Sequence, residues 1–185
     1  MRLAIPVALA LLIVGEAMAL RPTASLSEMT ARSDKIVIGR VGELALTTTE
    51  SVRLADDLRA TLVFTYMNIE VLETLKGEGG SSVTVKLLGG RVGESMTVVP
   101  DAAMLIPDEE VMVFLQSVDG TASDGQYQVL SGDQGVFSIR EDGTLSRRSA
   151  HPNSALAPGF DESSIPVLEL RQEINAEIER LETSN

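Results

Sequence analysis

The alternation of apolar and polar residues along the middle of the chain predicts a series of short β-strands. In residues 60–75, Met67 and Ile69 fall on one face while Asn68 and Glu70 fall on the other, and this period of two residues is typical of a half-buried strand. The predicted strands cover residues 35–46, 60–75, 82–88, 94–99, 111–115, 127–130 and 136–139. About seven short strands at this spacing indicate a sandwich or a small antiparallel barrel.

Glycine and polar residues between these segments predict where the sheet bends and turns. Gly39 and Gly42 interrupt a β-branched first strand and are expected at β-bulges. Asp142 and Gly143 have the composition of a two-residue hairpin turn, and the polar residues 47–59 are expected to form an exposed loop. The inward-facing apolar residues are expected to share one core, formed by Ile36, Ile38, Val63, Ile69, Val71, Val83, Val85, Val113 and Leu115.

A short helix is predicted at residues 26–32, immediately before the first strand. Ser25 and Glu28 have the spacing of a capping box, in which the serine side chain accepts from the amide three residues on and the glutamate reaches back. Residues 20–24 precede this helix as a leader, so that the predicted β-barrel domain covers residues 25–146.

A second, amphipathic helix is predicted at residues 165–182, after a connecting loop at residues 147–164. Its apolar positions recur at helical spacing, and they are Val167, Leu170, Ile174 and Ile178. Such a stripe must cover another surface. Packing on the barrel as a lid or flank is the favoured interpretation, and binding of a partner by these four residues is the alternative.

The first 19 residues have the organisation of a secretion signal. Arg2 precedes an apolar run at residues 3–14, and residues 17–19 (Ala-Met-Ala) have the small side chains that signal peptidase accepts. Gly15 and Glu16 end the run short of the roughly 20 apolar residues that span a bilayer. We therefore expect cleavage after residue 19 and a soluble protein, periplasmic or extracellular, with an uncleaved membrane anchor as the alternative.

The amino-acid composition argues against several kinds of site and several classes of partner. The chain contains no cysteine, so disulfides, thiol catalysis and zinc–thiolate sites are excluded. Its formal net charge is -12, which repels nucleic acid and anionic membrane surfaces. Aromatic residues make up only 3% and tryptophan is absent, which argues against a stacking platform for sugars or bases.

No arrangement of residues in the sequence specifies catalysis. His151 is the only histidine, and one imidazole cannot form a multi-histidine zinc site. Ser95 follows Gly93 and Glu94 but lacks the second glycine and the following helix of a nucleophile elbow. We therefore predict no catalytic residue, and a hydrolase that uses Ser95 and His151 is the least favoured alternative.

Glycine-rich and acidic segments have ordinary turn interpretations as well. Residues 89–93 precede a strand, so no helix N-terminus is expected to face an anion there. Residues 119–125 lack the alternating oxygen ligands of a calcium loop, although a weak calcium site is the alternative. The acidic pair at residues 56–57 is expected to point apart into solvent. We expect no metal and no cofactor.

Four segments, taken in order, resemble a widespread family of exported bacterial β-barrel domains. They are residues 33–41 (SDKIVIGRV), residues 69–77 (IEVLETLKG), residues 88–93 (LGGRVG) and residues 111–115 (VMVFL). The resemblance covers roughly residues 33–139 and implies a small barrel. The first two segments are also similar to netrin-like modules, which share the oligonucleotide/oligosaccharide-binding type of barrel and include the tissue inhibitors of metalloproteinases.

This resemblance implies a fold and not an inhibitory mechanism. The tissue inhibitors hold their target zinc through an N-terminal cysteine, and this chain has no cysteine. The predicted function is therefore an exported, non-enzymatic β-barrel module that binds a protein or envelope component, in an oligomeric state that the sequence leaves open. An inhibitor of an extracellular peptidase is the alternative from another class.

Overall fold

The computed structural model describes residues 24–55, 58–100, 102–118, 126–147 and 165–184. Within these ranges the protein is mainly β, with helix α1 (Leu26–Arg32), helix α2 (Val167–Thr183) and one turn of 3-10 helix (Gly132–Gly135). The strands are β1 (Lys35–Ala55), β2 (Leu58–Lys76), β3 (Ser82–Leu88), β4 (Gly90–Val92), β5 (Ser95–Thr97), β6 (Glu110–Ser117), β7 (Gln126–Val129), β8 (Val136–Ile139), β9 (Thr144–Arg147) and β10 (Ile165–Pro166).

Eight of these strands form one large mixed sheet in the order β1-β2-β3-β7-β6-β8-β9-β10, while β4 and β5 pair separately. The β3–β7 pair is parallel, whereas the other pairs are antiparallel. β1 pairs with β2 on one edge and, through Lys35 to Arg40, with β6 on the other. The pairings β1–β2–β3–β7–β6 therefore return to β1.

The predicted architecture of about seven antiparallel strands needs two corrections. The described residues contain ten strands. The additional strands are β9, which is the second strand of the hairpin predicted at residues 142–143, and β4 and β10, which lie in segments predicted as a turn and as a helix. One pair is also parallel. Strand directions cannot alternate all the way around a cycle with an odd number of members, so a cycle of five strands requires one parallel pair.

The prediction of a polar loop at residues 47–59 is wrong. Residues 47–55 continue β1 and pair with residues 58–65 of β2, from Thr47 opposite Thr65 to Ala55 opposite Leu58. Threonine and valine favour extended backbone even where their side chains face solvent. We call this two-stranded extension, residues 47–55 and 58–65, the ribbon arm.

The buried side chains form two clusters rather than the single predicted core. Ile69, Val83, Val85, Val113 and Leu115 share the first cluster with Val37. Ile36 and Ile38 lie instead in the second cluster, between the sheet and the two helices, with Met112 and Phe114 of β6. Because β1 and β6 are buried on both faces here, successive residues enter opposite clusters.

Helix α1 has the predicted bounds, and Ser25 caps it by accepting a hydrogen bond from the Glu28 amide at 3.1 Å. The Glu28 carboxylate does not complete a capping box, because it pairs with Arg32 at 3.3 Å. Helix α2 begins at Val167 rather than residue 165, with Pro166 at its N-cap. Neither described helix is long and apolar enough to cross a membrane.

The predicted β-bulges at Gly39 and Gly42 are confirmed. The β1–β2 register shifts at Gly39 and again between Val41 and Leu44, which includes Gly42. A Cβ added at Gly39 would lie 2.4 Å from the Glu70 carbonyl oxygen, so the two backbones approach too closely for a side chain.

A β8–β9 hairpin forms at Asp142 and Gly143, but its loop has three residues (141–143) rather than the predicted two, because the Arg140 amide donates to the Thr144 carbonyl at 2.8 Å and the Gly143 amide donates to the Arg140 carbonyl at 2.9 Å. Gly143 ends this loop with a φ of 75°, a conformation that favours glycine.

Candidate functional site

Near the two buried clusters, β6 flanks β1 and β3 flanks β2. The ribbon arm extends beyond both of these flanking strands. β2 pairs with β3 between Phe64 and Glu70, and β1 pairs with β6 between Lys35 and Arg40. Beyond these pairs, neither outer edge of the arm has a strand partner among the described residues. At about 3.3 Å per residue, residues 47–55 span roughly 30 Å.

The hydrogen bonds of Val63 show in which direction the backbone groups of the arm point. The Val63 amide donates to Thr97 Oγ1 at 2.9 Å and its carbonyl accepts from the Gly89 amide at 2.9 Å, so both groups point away from β1. Backbone groups alternate along an antiparallel ladder, and Thr49 lies opposite Val63 while Ser51 lies opposite Thr61. The amides and carbonyls of Thr49, Ser51 and Thr61 therefore point to the open edges.

The two faces of the arm differ in chemistry. The aromatic face carries Thr48, Glu50 and Val52 of β1 opposite Phe64, Leu62 and Ala60 of β2. The hydroxyl face carries Thr47, Thr49, Ser51 and Arg53 opposite Thr65, Val63, Thr61 and Arg59. Val63 is buried, but every other side chain of the arm that the structure describes is half-buried or exposed. Both faces are therefore accessible to a partner.

A polar cluster on the aromatic face joins the arm to the rest of the sheet. Lys86 of β3 donates to Glu50 Oε2 of β1 at 2.6 Å, and the Tyr66 hydroxyl of β2 donates to Glu50 Oε1 at 2.5 Å. The Lys86 ammonium also lies 4.2 Å from the centre of the Phe64 ring, within cation–π range. We call Glu50, Phe64, Tyr66 and Lys86 the brace, because it connects three strands where the arm begins.

Charge pairing in the brace shifts the pKa of each partner. The hydrogen bonds from Lys86 and then from Tyr66 hold the pKa of Glu50 below its usual value. Burial raises the pKa of Tyr66, and its hydrogen bond to Glu50 raises it further. Burial acts to lower the pKa of Lys86, but the hydrogen bonds to Glu50 and Tyr66 outweigh it and the pKa is raised. The brace is therefore an ion pair at neutral pH.

On the hydroxyl face, the β4–β5 hairpin covers the start of the arm. Thr65 Oγ1 donates to the Gly89 carbonyl at 2.8 Å. Gly90 has a φ of 125°, and a Cβ there would lie 2.5 Å from Thr65 Oγ1. A two-stranded ribbon is marginally stable in water by itself, so the hairpin and the brace together hold the arm in position.

The segments that carry the family resemblance have structural contacts of their own. Asp34 accepts hydrogen bonds from the Ser117 amide at 2.8 Å and hydroxyl at 2.6 Å, which hold the pKa of Asp34 below its usual value. Lys35, which is 4% exposed, donates to the Glu78 carbonyl. A Cβ at Gly77 would lie 2.5 Å from the Asp34 carbonyl oxygen. These residues join the start of β1 to the β2–β3 turn and the end of β6.

The residues predicted as a partner-binding stripe pack inside the protein. Leu170 and Ile174 are 1% and 0% exposed in the second cluster, and Val167 and Ile178 pack against its edge. This arrangement supports the interpretation of α2 as a packing helix on the sheet. Binding of a partner by the same four residues stays a prediction, and it would require α2 to leave the sheet.

The other candidate residues are not brought into a reaction centre. Ser95 is exposed in β5, while His151, residues 56–57, residues 119–125 and most of the predicted loop at 147–164 lie outside the described residues. The predicted signal peptide, residues 1–19, also lies outside them. Within the described ranges, no group of three histidine, aspartate or glutamate side chains could hold a metal ion.

The sequence interpretation missed the ribbon arm, although part of its signal was present. Residues 52–54 and 58–62 alternate between apolar and polar residues, whereas residues 47–51 are all polar and have the composition of a loop. The brace had no such signal, because Glu50, Tyr66 and Lys86 are distant in sequence and meet only through the strand register.

Comparison with protein-family models and with curated proteins found no match to this chain.

Proposed function

We propose that this chain is an exported, non-enzymatic module built on a small barrel of the oligonucleotide/oligosaccharide-binding type, and that it binds a protein partner through the ribbon arm. The cyclic pairing of β1, β2, β3, β7 and β6 supports the barrel. The apolar run at residues 3–14 and the Ala-Met-Ala sequence at residues 17–19 support export.

The open edges of the ribbon arm are the observation on which this proposal depends. An unpaired strand edge presents a row of backbone donors and acceptors that an extended peptide can complete by adding a strand. The β1 edge is the longer of the two, since residues 43–55 lie beyond its pairing with β6. Soluble proteins normally shorten or cover such edges, so a long open edge indicates an interaction surface.

The brace makes the arm suitable for binding. A segment that is already ordered loses less conformational entropy on association than a flexible loop does. Glu50, Tyr66 and Lys86 fix the direction of the arm before any partner arrives. A partner strand would therefore meet an edge that is already extended.

Inhibition of an extracellular peptidase is the second candidate function, and the same edge favours it. An extended strand held by a folded domain can enter a substrate cleft as a substrate segment does, by pairing backbone to backbone. This candidate predicts loss of activity of a secreted peptidase on addition of the protein, whereas the first candidate predicts binding without inhibition.

Proline substitution at the open edges tests the proposal. Ser51→Pro removes an amide that faces the open edge of β1, and Thr61→Pro removes one that faces the open edge of β2, while both leave the β1–β2 bonds in place. A photo-crosslinking residue at position 49 reports contact with a partner in the secreting cell. We expect a discrete crosslinked product that Ser51→Pro abolishes and that Ser51→Ala and Thr61→Pro retain.

Equal crosslinking of all three variants would reject strand addition at the β1 edge. The melting temperature of each variant provides the control, because a proline that unfolds the arm would also lower it. Inhibition assays against secreted metallo- and serine peptidases separate the two candidate functions.

A further inference from the structure

Two arginines face each other near the end of the ribbon arm. Arg53 of β1 and Arg59 of β2 are direct cross-strand partners on the hydroxyl face, and both are exposed. Side chains that lie directly opposite in an antiparallel pair have Cβ atoms about 4.5–5.5 Å apart, and like charges there destabilise the pair. The folding of the arm therefore does not account for this arrangement.

Neither arginine is neutralised within the part of the chain that the structure describes. No ion pair or hydrogen bond joins the Arg53 or Arg59 side chain to another described residue. Arg171 and Arg180, in contrast, each pair with a carboxylate of the same chain, Glu73 and Glu177. In a protein with a net charge of -12, the arm therefore presents two guanidinium groups that have no carboxylate partner among the described residues.

The surroundings of the arginine pair suit a carboxylate. The next cross-strand pair on the same face is Ser51 and Thr61, whose hydroxyl groups can donate further hydrogen bonds. Guanidinium groups bind carboxylates through two parallel N–H···O bonds. Residues 56–57, which are acidic, lie outside the described residues.

From this arrangement we infer that the partner segment is an acidic, extended peptide. Its backbone pairs with the open β1 edge at Thr47, Thr49, Ser51 and Arg53, and its carboxylates on the hydroxyl face bind Arg53 and Arg59. This inference rests on the proposed strand addition, to which it adds the chemistry of the partner. The open backbone edge favours a peptide over an anionic membrane, because an extended peptide can complete the edge by adding a strand and a lipid headgroup cannot.

The test uses two short synthetic peptides, one that alternates threonine with glutamate and one that alternates threonine with glutamine. Binding of each labelled peptide to the exported full chain is measured by fluorescence anisotropy at low and high salt. We expect saturable binding of the acidic peptide, weaker binding at high salt, and weaker binding of the glutamine peptide at both.

Arg53→Gln and Arg59→Gln should each weaken binding of the acidic peptide by about tenfold, because each variant loses a charge-assisted pair with a peptide carboxylate. The glutamine peptide should bind these variants as it binds the unmodified protein. Arg91→Gln is the matched control, because Arg91 is an exposed strand arginine outside the ribbon arm. It should leave both affinities unchanged.

The variants distinguish failure of this inference from failure of the proposed function. If Ser51→Pro abolishes peptide binding and the arginine variants do not weaken it, strand addition stands and the acidic partner is rejected. If the arginine variants weaken binding and Ser51→Pro does not, strand addition is rejected. Arginine-dependent binding to phosphatidylglycerol vesicles, arginine-dependent self-association of the chain, or no saturable peptide binding would each overturn the acidic peptide as occupant.

Discussion

Glu50 and Lys86 meet across an intervening strand, with 2.6 Å between Glu50 Oε2 and Lys86 Nζ. Glu50 lies on β1 and Lys86 on β3, so this contact crosses β2. Glu50 also accepts a hydrogen bond from the Tyr66 hydroxyl of β2. The Glu50 and Lys86 side chains are 32% and 18% exposed, and water therefore screens the pair less than it screens a surface ion pair. The contact lies where β3 ends and the ribbon arm continues without it.

We expect Glu50→Ala to loosen the arm more than it destabilises the protein. Loss of the ion pair should lower the free energy of unfolding by about 1 kcal/mol. Hydrogen exchange in residues 47–55 and 58–62 should become faster, because the arm then depends on its own two strands. Hydrogen–deuterium exchange with peptide resolution measures this change.

Glu28→Ala is the matched control for that experiment. Glu28 also pairs with a cation, Arg32, but both side chains are more than half exposed and lie on α1. The Glu28→Ala substitution should leave hydrogen exchange in the ribbon arm unchanged. Unchanged exchange in Glu50→Ala would mean that the brace does not hold the arm.

Acid should weaken the contact between Asp34 and Ser117. The folded-state pKa of Asp34 lies below its ordinary value of 3.8 because the Ser117 hydroxyl and amide donate to the carboxylate. A carboxylate whose pKa is lower in the folded state than in the unfolded state stabilises the protein fully above the unfolded-state pKa. This stabilisation is lost as the pH falls through the folded-state pKa. In denaturant titrations, Asp34→Asn should therefore reduce stability at pH 7 and show a shallower loss of stability below pH 3.8 than the unmodified protein. An identical pH slope in both proteins would contradict this assignment.

Gly39→Ala should destabilise the fold by about 1–3 kcal/mol, as other overpacked substitutions do. The added methyl group would lie 2.4 Å from the Glu70 carbonyl oxygen and 2.5 Å from Ile69 Cγ2, so β1 and β2 must separate. Gly79→Ala provides the control, since no atom lies within 4 Å of a Cβ at that position. Chemical denaturation measures both variants, and equal midpoints would show that the bulge at Gly39 tolerates a side chain.

The parts of the fold that the sequence predicts well are those with a strong local signal. Strand β3 has the predicted bounds because every second residue from Val83 to Leu87 is apolar, and α1 has a capping serine at Ser25. The division of Ile36 and Val37 between two clusters could not be predicted in this way. A continuous apolar run shows that both faces are buried but does not show what covers each of them.

The candidate site was harder to predict than the fold, for a related reason. The arm is built from threonines and charged residues, which are common in loops and in solvent-facing strands, and composition cannot separate the two. The Arg53–Arg59 pair depends on the β1–β2 register, and a slip of one residue would place the arginines on opposite faces. Register follows from the bulges and from pairing across the whole sheet, which no short sequence window contains.

Two leucines of the C-terminal helix α2 differ in burial, and substituting each of them tests how the helix packs. Leu170 is 1% exposed in the second cluster, whereas Leu168 is 61% exposed on the opposite side of α2. Leu170→Ala should lower the free energy of unfolding by about 2–5 kcal/mol, as large-to-small substitutions in cores do. Leu168→Ala, with the same change in helix propensity, should cost well under 1 kcal/mol.

Thermal and denaturant unfolding of the two variants separate the interpretations of the helix. Loss of stability in Leu170→Ala alone means that α2 is part of the packed protein and that a partner reaches Val167, Leu170, Ile174 and Ile178 only if the helix detaches. Equal stability of both variants would mean that the stripe is not packed on the sheet in solution. The predicted partner-binding helix, and not the ribbon arm, would then be the first interaction surface to pursue.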